Sequence, residues 1–171
     1  SFGKLTEEGV YTYVIPAGLF TMDGVPNEEY TFSIELYTFE IKALEIAKES
    51  GCIVSYDPNY RAPLWDSKAA AIAGMRSVLS YVDVMKLSDE ETELLTDKAE
   101  PKEAAEALLE KGVSVVAVTL GADGALVCTK EGCVTVPGYK ADMVDTTGAG
   151  DSFWGGFLHK LLESGKRPEE V

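Results

Sequence analysis

From residue 37 onward the chain alternates helical and strand-like periodicity with short links, and this alternation constrains its fold more than any other feature. Phe39, Ala43, Ile46 and Ala47 fall on one helical face, and Gly51 supplies a stop. The apolar run 52–56 reads as a buried strand, halted by Asp57-Pro58. Ala71, Met75, Val78 and Leu79 repeat the helical spacing, and residues 82–87 give the next strand. A short helix is expected after Ser88, and another between Pro101 and Lys111, with Gly112 as its stop. Residues 113–120 are mostly β-branched, as in a strand covered on both faces. Two short strands at 125–128 and 133–136 are separated by turn residues. A last helix over 150–164 carries Trp154, Phe157, Leu158, Leu161 and Leu162 on its apolar stripe. Together these elements predict an α/β protein with a mostly parallel sheet and helices on both faces. Ligands of such sheets sit beyond the carboxyl ends of the strands.

Residues 1–36 read differently. They are rich in Gly, Pro, Thr and aromatics, with strand-like runs at 10–15 and 30–34 and no helical period. The expected organisation is therefore a small β region over 1–36 and an α/β region over 37–171. A net charge of -14 argues against nucleic acid or an anionic membrane surface as partner. A polyphosphate would have to be held by local devices: helix N-termini, a few basic side chains and a divalent cation. No signal peptide or long apolar span is visible, so a cytoplasmic protein is expected. Cys52, Cys128 and Cys133 are too few and too oddly spaced for a disulfide framework. They read as reduced thiols packed as small hydrophobes, with Cys128 and Cys133 flanking a turn.

The sharpest chemical signal is Asp145-Thr146-Thr147-Gly148-Ala149-Gly150-Asp151-Ser152, which opens the last helix. Two glycines let the backbone approach a ligand, and free N–H groups at a helix start attract an anion. Asp151 in the first turn can accept a proton from a hydroxyl beside that anion. The same residues also suit a plain glycine turn with an aspartate favouring the helix N-terminus. Three further constellations lie at predicted strand ends. Thr119-Leu120-Gly121-Ala122-Asp123-Gly124 reads from its residues alone as a hairpin turn. Lys86-Leu87-Ser88-Asp89-Glu90-Glu91 contains a capping box, with Ser88 and Glu91 as its ends. Tyr56-Asp57-Pro58-Asn59-Tyr60-Arg61 offers polar side chains and a guanidinium suited to phosphate, and is also a good turn. The only histidine, His159, has no Cys or His at ligand spacing and no nucleophile elbow to serve, so it is an ordinary helix residue.

The octapeptide, continuing through Phe153-Trp154-Gly155-Gly156-Phe157-Leu158, closely resembles the C-terminal signature of the ribokinase-like (PfkB) carbohydrate kinases. The resemblance implies a three-layer sandwich with a small β lid, here incomplete. It implies that Gly148, Ala149 and Gly150 form an anion hole and that Asp151 is the catalytic base. Asp145 and Thr147 match positions that help hold an activating monovalent cation, K+, in several members. Thr119, Gly121 and Gly124 match T-x-G-x-x-G, whose backbone and threonine contact the nucleotide. Lys86 and Ser88 fall in the ATP-binding stretch, where serine replaces the asparagine of N-x-x-E. Glu91 keeps its place and would steer Mg2+ through water. Asp57, Asn59 and Arg61, followed by Leu64-Trp65, look most like fructokinases and would contact sugar or phosphate.

The implied activity is ATP-dependent phosphorylation of a sugar hydroxyl, with fructose as acceptor. Sugar-acid kinases acting on 2-keto-3-deoxygluconate or a related substrate share the D-x-N-x-R and Leu-Trp pattern and remain the alternative. Residues 9–12 and 23–32 are similar to the family's lid strands, and a homodimer through the lid is the expected assembly. The family's N-terminal glycine-rich signature and its segment beyond residue 171 have no counterpart here. The chain is therefore expected to be a piece that does not catalyse alone. Two readings from other classes are a dinucleotide-binding oxidoreductase and a non-catalytic nucleotide or sugar sensor. The first conflicts with a glycine turn on the last helix rather than after the first strand. The second leaves Asp151 and Glu91 without a task.

Overall fold

The computed structural model describes residues 9–15, 21–22, 25–26, 30–36, 39–140, 142 and 144–171. Asp23 and Gly24, expected to be part of the lid, lie outside the described residues. The chain divides into two compact units, Ser1–Ile46 and Ala47–Val171. In the first, β1 (Gly9–Ile15) pairs antiparallel with β4 (Tyr30–Leu36), and the short β2 (Thr21–Met22) pairs with β3 (Val25–Pro26). Helix α1 (Phe39–Glu49) follows.

The second unit is built on one five-stranded sheet. Its order is β5 (Ser55–Tyr56), β6 (Val84–Ser88), β7 (Val115–Thr119), β8 (Ala125–Thr129), β9 (Gly132–Val136). The first three strands are parallel and the last two antiparallel, so the sheet is mixed rather than mostly parallel. The cause is loop length. The links β7–β8 and β8–β9 are tight turns, far too short for the crossover helix that parallel neighbours require.

Helices α2 (Lys68–Ser77), α3 (Thr92–Thr96) and α4 (Pro101–Glu110) pack in series, and α4 lies against β7 and β8. Pro101 opens α4, where a missing N–H costs nothing. Ser67 caps α2 by accepting the Ala70 N–H at 3.1 Å. Met85, Leu87, Val116 and Val118 alternate along their strands and are fully buried. Each contributes roughly 1.5–3 kcal/mol by leaving water. The alternate positions Val84, Val115 and Ala117 pack with Trp154 and Leu161 of α5 (Ala149–Glu163). Trp154 donates its indole N–H to Ser55 Oγ at 2.9 Å, which fixes α5 over the β5 end of the sheet.

Two further expectations need correction. The strand expected over 52–56 retains only two paired residues, Ser55 and Tyr56, with Val54 leading into them. Its N–H goes to Asp83 Oδ2 at 2.8 Å, and its carbonyl accepts the N–H groups of Asp83 and Val84. Cys128 and Cys133 are not reduced thiols but form a disulfide. The turn between β8 and β9 sets them directly opposite each other, with Cα atoms 4.1 Å apart. Cys52 remains free and exposed.

Candidate active site

The carboxyl ends of β5, β6 and β7 and the start of α5 converge on one region. Ser88 and Thr119, the last residues of β6 and β7, are register partners, and Asp57 follows directly on β5. Gly148 enters α5 with φ 75°, a left-handed conformation that glycine adopts without strain. No side chain caps this N-terminus. The Ala149 N–H turns back to the Thr146 carbonyl at 3.1 Å, and the helical ladder begins when the Ser152 N–H reaches Gly148 O at 2.9 Å. Between them, the N–H groups of Gly150 and Asp151 have no backbone acceptor among the described residues, as expected in a first helical turn. Asp151 is exposed in that turn.

Lys86 supplies the local positive charge. It points from β6 to the same face as Val84, toward α5, and is 7 % exposed. A Cβ added to Gly150 would lie 2.9 Å from Lys86 Nζ, so glycine there lets the ammonium come against the helix start. The ammonium also donates to Asp57 Oδ2 at 2.8 Å. The other Asp57 oxygen accepts the Asn59 N–H at 3.2 Å, closing a turn in which Asn59 takes φ 44°. Arg61 is exposed, and its Nη1 donates to the Tyr60 carbonyl at 3.0 Å.

Glu91 is buried, at 6 % exposure, and both of its oxygens are engaged. Oε2 accepts the Ser88 N–H at 2.8 Å, the glutamate half of the capping box. Oε1 accepts the Tyr60 N–H at 2.6 Å. The T-x-G-x-x-G stretch forms the tight connection between β7 and β8, so its turn character holds. Thr119 Oγ1 donates to Leu87 O at 3.4 Å, and the Leu120 N–H reaches Gly124 O at 2.8 Å. Gly121 has φ 58° and Gly124 φ 103°. A Cβ on Gly124 would stand 2.0 Å from Val136 O, and one on Gly138 would stand 2.2 Å from Ala122 O. The end of β9 thus braces this loop. Gly138 escaped the sequence reading, although Pro137-Gly138 is a turn signal in plain view.

Asp145 and Thr147 interact with each other: Asp145 Oδ1 accepts both the Thr147 N–H and its hydroxyl at 2.9 Å. These bonds, the backbone one foremost, hold the Asp145 carboxyl below its ordinary pKa. The structure therefore links Asp57, Lys86 and Gly150 in one chain of contacts, and Tyr60, Glu91 and Ser88 in another. Arg61, Asp151 and the Asp145–Thr147 pair belong to neither. Among the described residues no three His, Cys, Asp or Glu side chains are gathered to hold a metal ion. Each Glu91 oxygen accepts one N–H and keeps a second lone pair, so the carboxylate could still hold a magnesium ion through its waters.

The α/β sheet thus carries an uncapped glycine-rich helix start beside a buried ammonium, an arrangement suited to holding an anion. The chain belongs to the pfkB family of carbohydrate kinases, which matches residues 35–171. Fructokinase-2 of Solanum lycopersicum is 44% identical over 124 residues, 72% of this chain and 38% of the relative. Fructokinase-1 of Oryza sativa subsp. japonica is 38% identical over 125 residues, again 72% and 38%. Among solved structures, the fructokinase from Vibrio cholerae O395 in fructose, ADP and calcium ion bound form superimposes with TM-score 0.67 at 38% identity. That match covers 72% of this chain and 40% of that one. Aminoimidazole riboside kinase from Salmonella enterica, complexed with aminoimidazole riboside and an ATP analog, gives TM-score 0.62 at 32% identity, covering 69% and 40%. The chain spans about two fifths of the length of the curated relatives it matches. Among the described residues no helix is long and apolar enough to cross a membrane.

Proposed function

We propose that the protein carrying this chain is a cytoplasmic kinase that transfers the γ-phosphoryl group of ATP to a hydroxyl of fructose. The observation that carries this reading is Lys86, an ammonium group buried against Gly150 at the start of α5, with Asp151 one residue further on. Charge spreading over a transferring phosphoryl group is stabilised by fixed cations and backbone N–H groups that need no rearrangement. Lys86 and the free N–H groups of α5 supply both. Asp151 takes the proton of the attacking hydroxyl as the new O–P bond forms and the bond to the ADP oxygen breaks. Magnesium bound with ATP, with Glu91 placed to reach it through water, would supply stabilisation of the negative charge that builds during the transfer. Thr119 and the glycines at 121 and 124 face the nucleotide, and Asp57, Asn59 and Arg61 face the sugar or phosphate.

K+ near Asp145 and Thr147, and a homodimer through the β region of residues 1–36, belong to the same proposal. The exposed guanidinium of Arg61 favours one second reading, a 2-keto-3-deoxy sugar acid as acceptor, because a carboxylate pairs with it in two parallel bonds. A panel of hexoses, pentoses and sugar acids, assayed with the complete protein, ATP and magnesium, decides between them. Fructose is expected to give the highest kcat/KM. Turnover confined to a sugar acid replaces fructose by the second reading, and nicotinamide dinucleotide binding without ATP binding removes the kinase altogether.

A further inference from the structure

Glycine is, after proline, the residue least suited to a helix interior, yet Gly74 lies inside the alanine-rich α2. The core does not explain it, because α2 meets the core through Ala71 and Met75. Trp65 does. A Cβ on Gly74 would stand 2.8 Å from Trp65 Cζ3 and 2.9 Å from Cη2, and among the described residues no other loop or side chain comes within 4 Å of it. The bare helix surface is a seat for the outer edge of the indole. The seated ring is 37 % exposed, against 81 % for Leu64 beside it. The backbone between this ring and Arg61 is stiff. Ala62–Leu64 form a 3-10 turn that includes Pro63, with its φ fixed by the ring. The Leu64 N–H donates to Arg61 O at 3.0 Å and the Trp65 N–H to Ala62 O at 3.2 Å, so the turn is closed at both ends. Holding the indole on α2 therefore holds Arg61, which opens the turn. We propose that Trp65, seated on Gly74, is a positioning residue that sets the Arg61 guanidinium against the sugar. The effect on phosphoryl transfer rests on the kinase reading; the seat itself does not.

The first measurement is NMR of the complete wild-type protein. Nuclear Overhauser contacts are expected from the Gly74 Hα protons to the Hζ3 and Hη2 protons of Trp65, and their absence overturns the seat. The second is steady-state kinetics of the complete protein with ATP, magnesium and fructose. Gly74→Ala pushes the ring off α2. It is expected to lower kcat/KM for the sugar about ten- to a hundredfold, through KM for the sugar, with KM for ATP within about twofold of wild type. Trp65→Phe removes the outer ring edge that the added methyl would meet. In that background Gly74→Ala is expected to cost less than about twofold, a suppression that a general weakening of α2 would not show. In an Arg61→Ala background Gly74→Ala is likewise expected to cost less than about threefold, because both changes disable the same contact. A wild-type kcat/KM in Gly74→Ala overturns the proposal. So does a rise of about tenfold in KM for ATP, or an undiminished loss in either background. If the complete wild-type protein phosphorylates no sugar, the kinase reading fails separately, and the Overhauser contacts still decide whether the seat exists.

Discussion

An ammonium group moved out of water costs several kcal/mol unless a counter-charge goes with it. Lys86, with 8 % of its side chain exposed, meets that condition through Asp57, whose side chain is 17 % exposed. The pair is partly shielded from solvent, so removing one member leaves the other stranded. Lys86→Met is expected to lower unfolding stability by about 2–4 kcal/mol, and adding Asp57→Asn is expected to recover part of that loss. Chemical denaturation of the three proteins checks this; a double variant less stable than Lys86→Met contradicts it. Both residues were legible in the sequence as members of separate motifs. Their pairing was not, because it depends on the parallel register that sets β5 beside β6. The Tyr60 donor was invisible for a simpler reason: a backbone N–H leaves no mark in the residue types. The disulfide was missed because a turn between Cys128 and Cys133 shows only that they could lie near each other, and the hairpin register is what sets them directly opposite.

At the scale of elements, the turn between β7 and β8 shows how two glycines in one motif differ. Gly121 and Gly124 both have positive φ, but nothing lies within 4 Å of a Cβ at Gly121, whereas Gly124 backs directly onto Val136 O. Gly121→Ala is expected to cost about 1–2 kcal/mol, the strain of a left-handed residue. Gly124→Ala is expected to cost about 3 kcal/mol or more, since strain and a backbone collision act together. Thermal unfolding of the two variants tests the ranking; equal costs contradict the brace from β9. Element types were well legible from periodicity, and α4, β7 and α5 lie close to where spacing put them. Strand direction was not. The alternation rule assigns parallel neighbours only where the link is long enough for a crossover, and the short turns after β7 and β8 set the mixed sheet.

At the scale of the whole molecule, three exposed carboxyls among the described residues sit below their ordinary pKa. Asp97 is lowered first by its bond from Arg76, Asp145 by the Thr147 N–H, and Glu169 by its own backbone N–H. Folding lowers these values, so the unfolded chain binds more protons in acid. The stability they contribute is complete above the ordinary carboxylate range and is lost as pH falls through the folded values. The thermal midpoint is therefore expected to decline below about pH 4; a midpoint that holds to about pH 3 contradicts the assignment. A net charge of -14 on this chain offers ATP no long-range attraction, so on the proposed reading phosphate binding rests on local devices such as Lys86, the α5 N-terminus and an accompanying cation. That local site is the centre of the account. Its most direct test follows the γ-phosphoryl group of ATP by phosphorus NMR, in the complete protein with magnesium and fructose, for the wild type and Asp151→Asn side by side. The account predicts a sugar phosphate ester from the wild type. It predicts an Asp151→Asn protein that binds ATP nearly unchanged but turns over on the order of a hundredfold or more slowly. Equal rates in the two proteins, or ATP consumed with no ester formed, would contradict it.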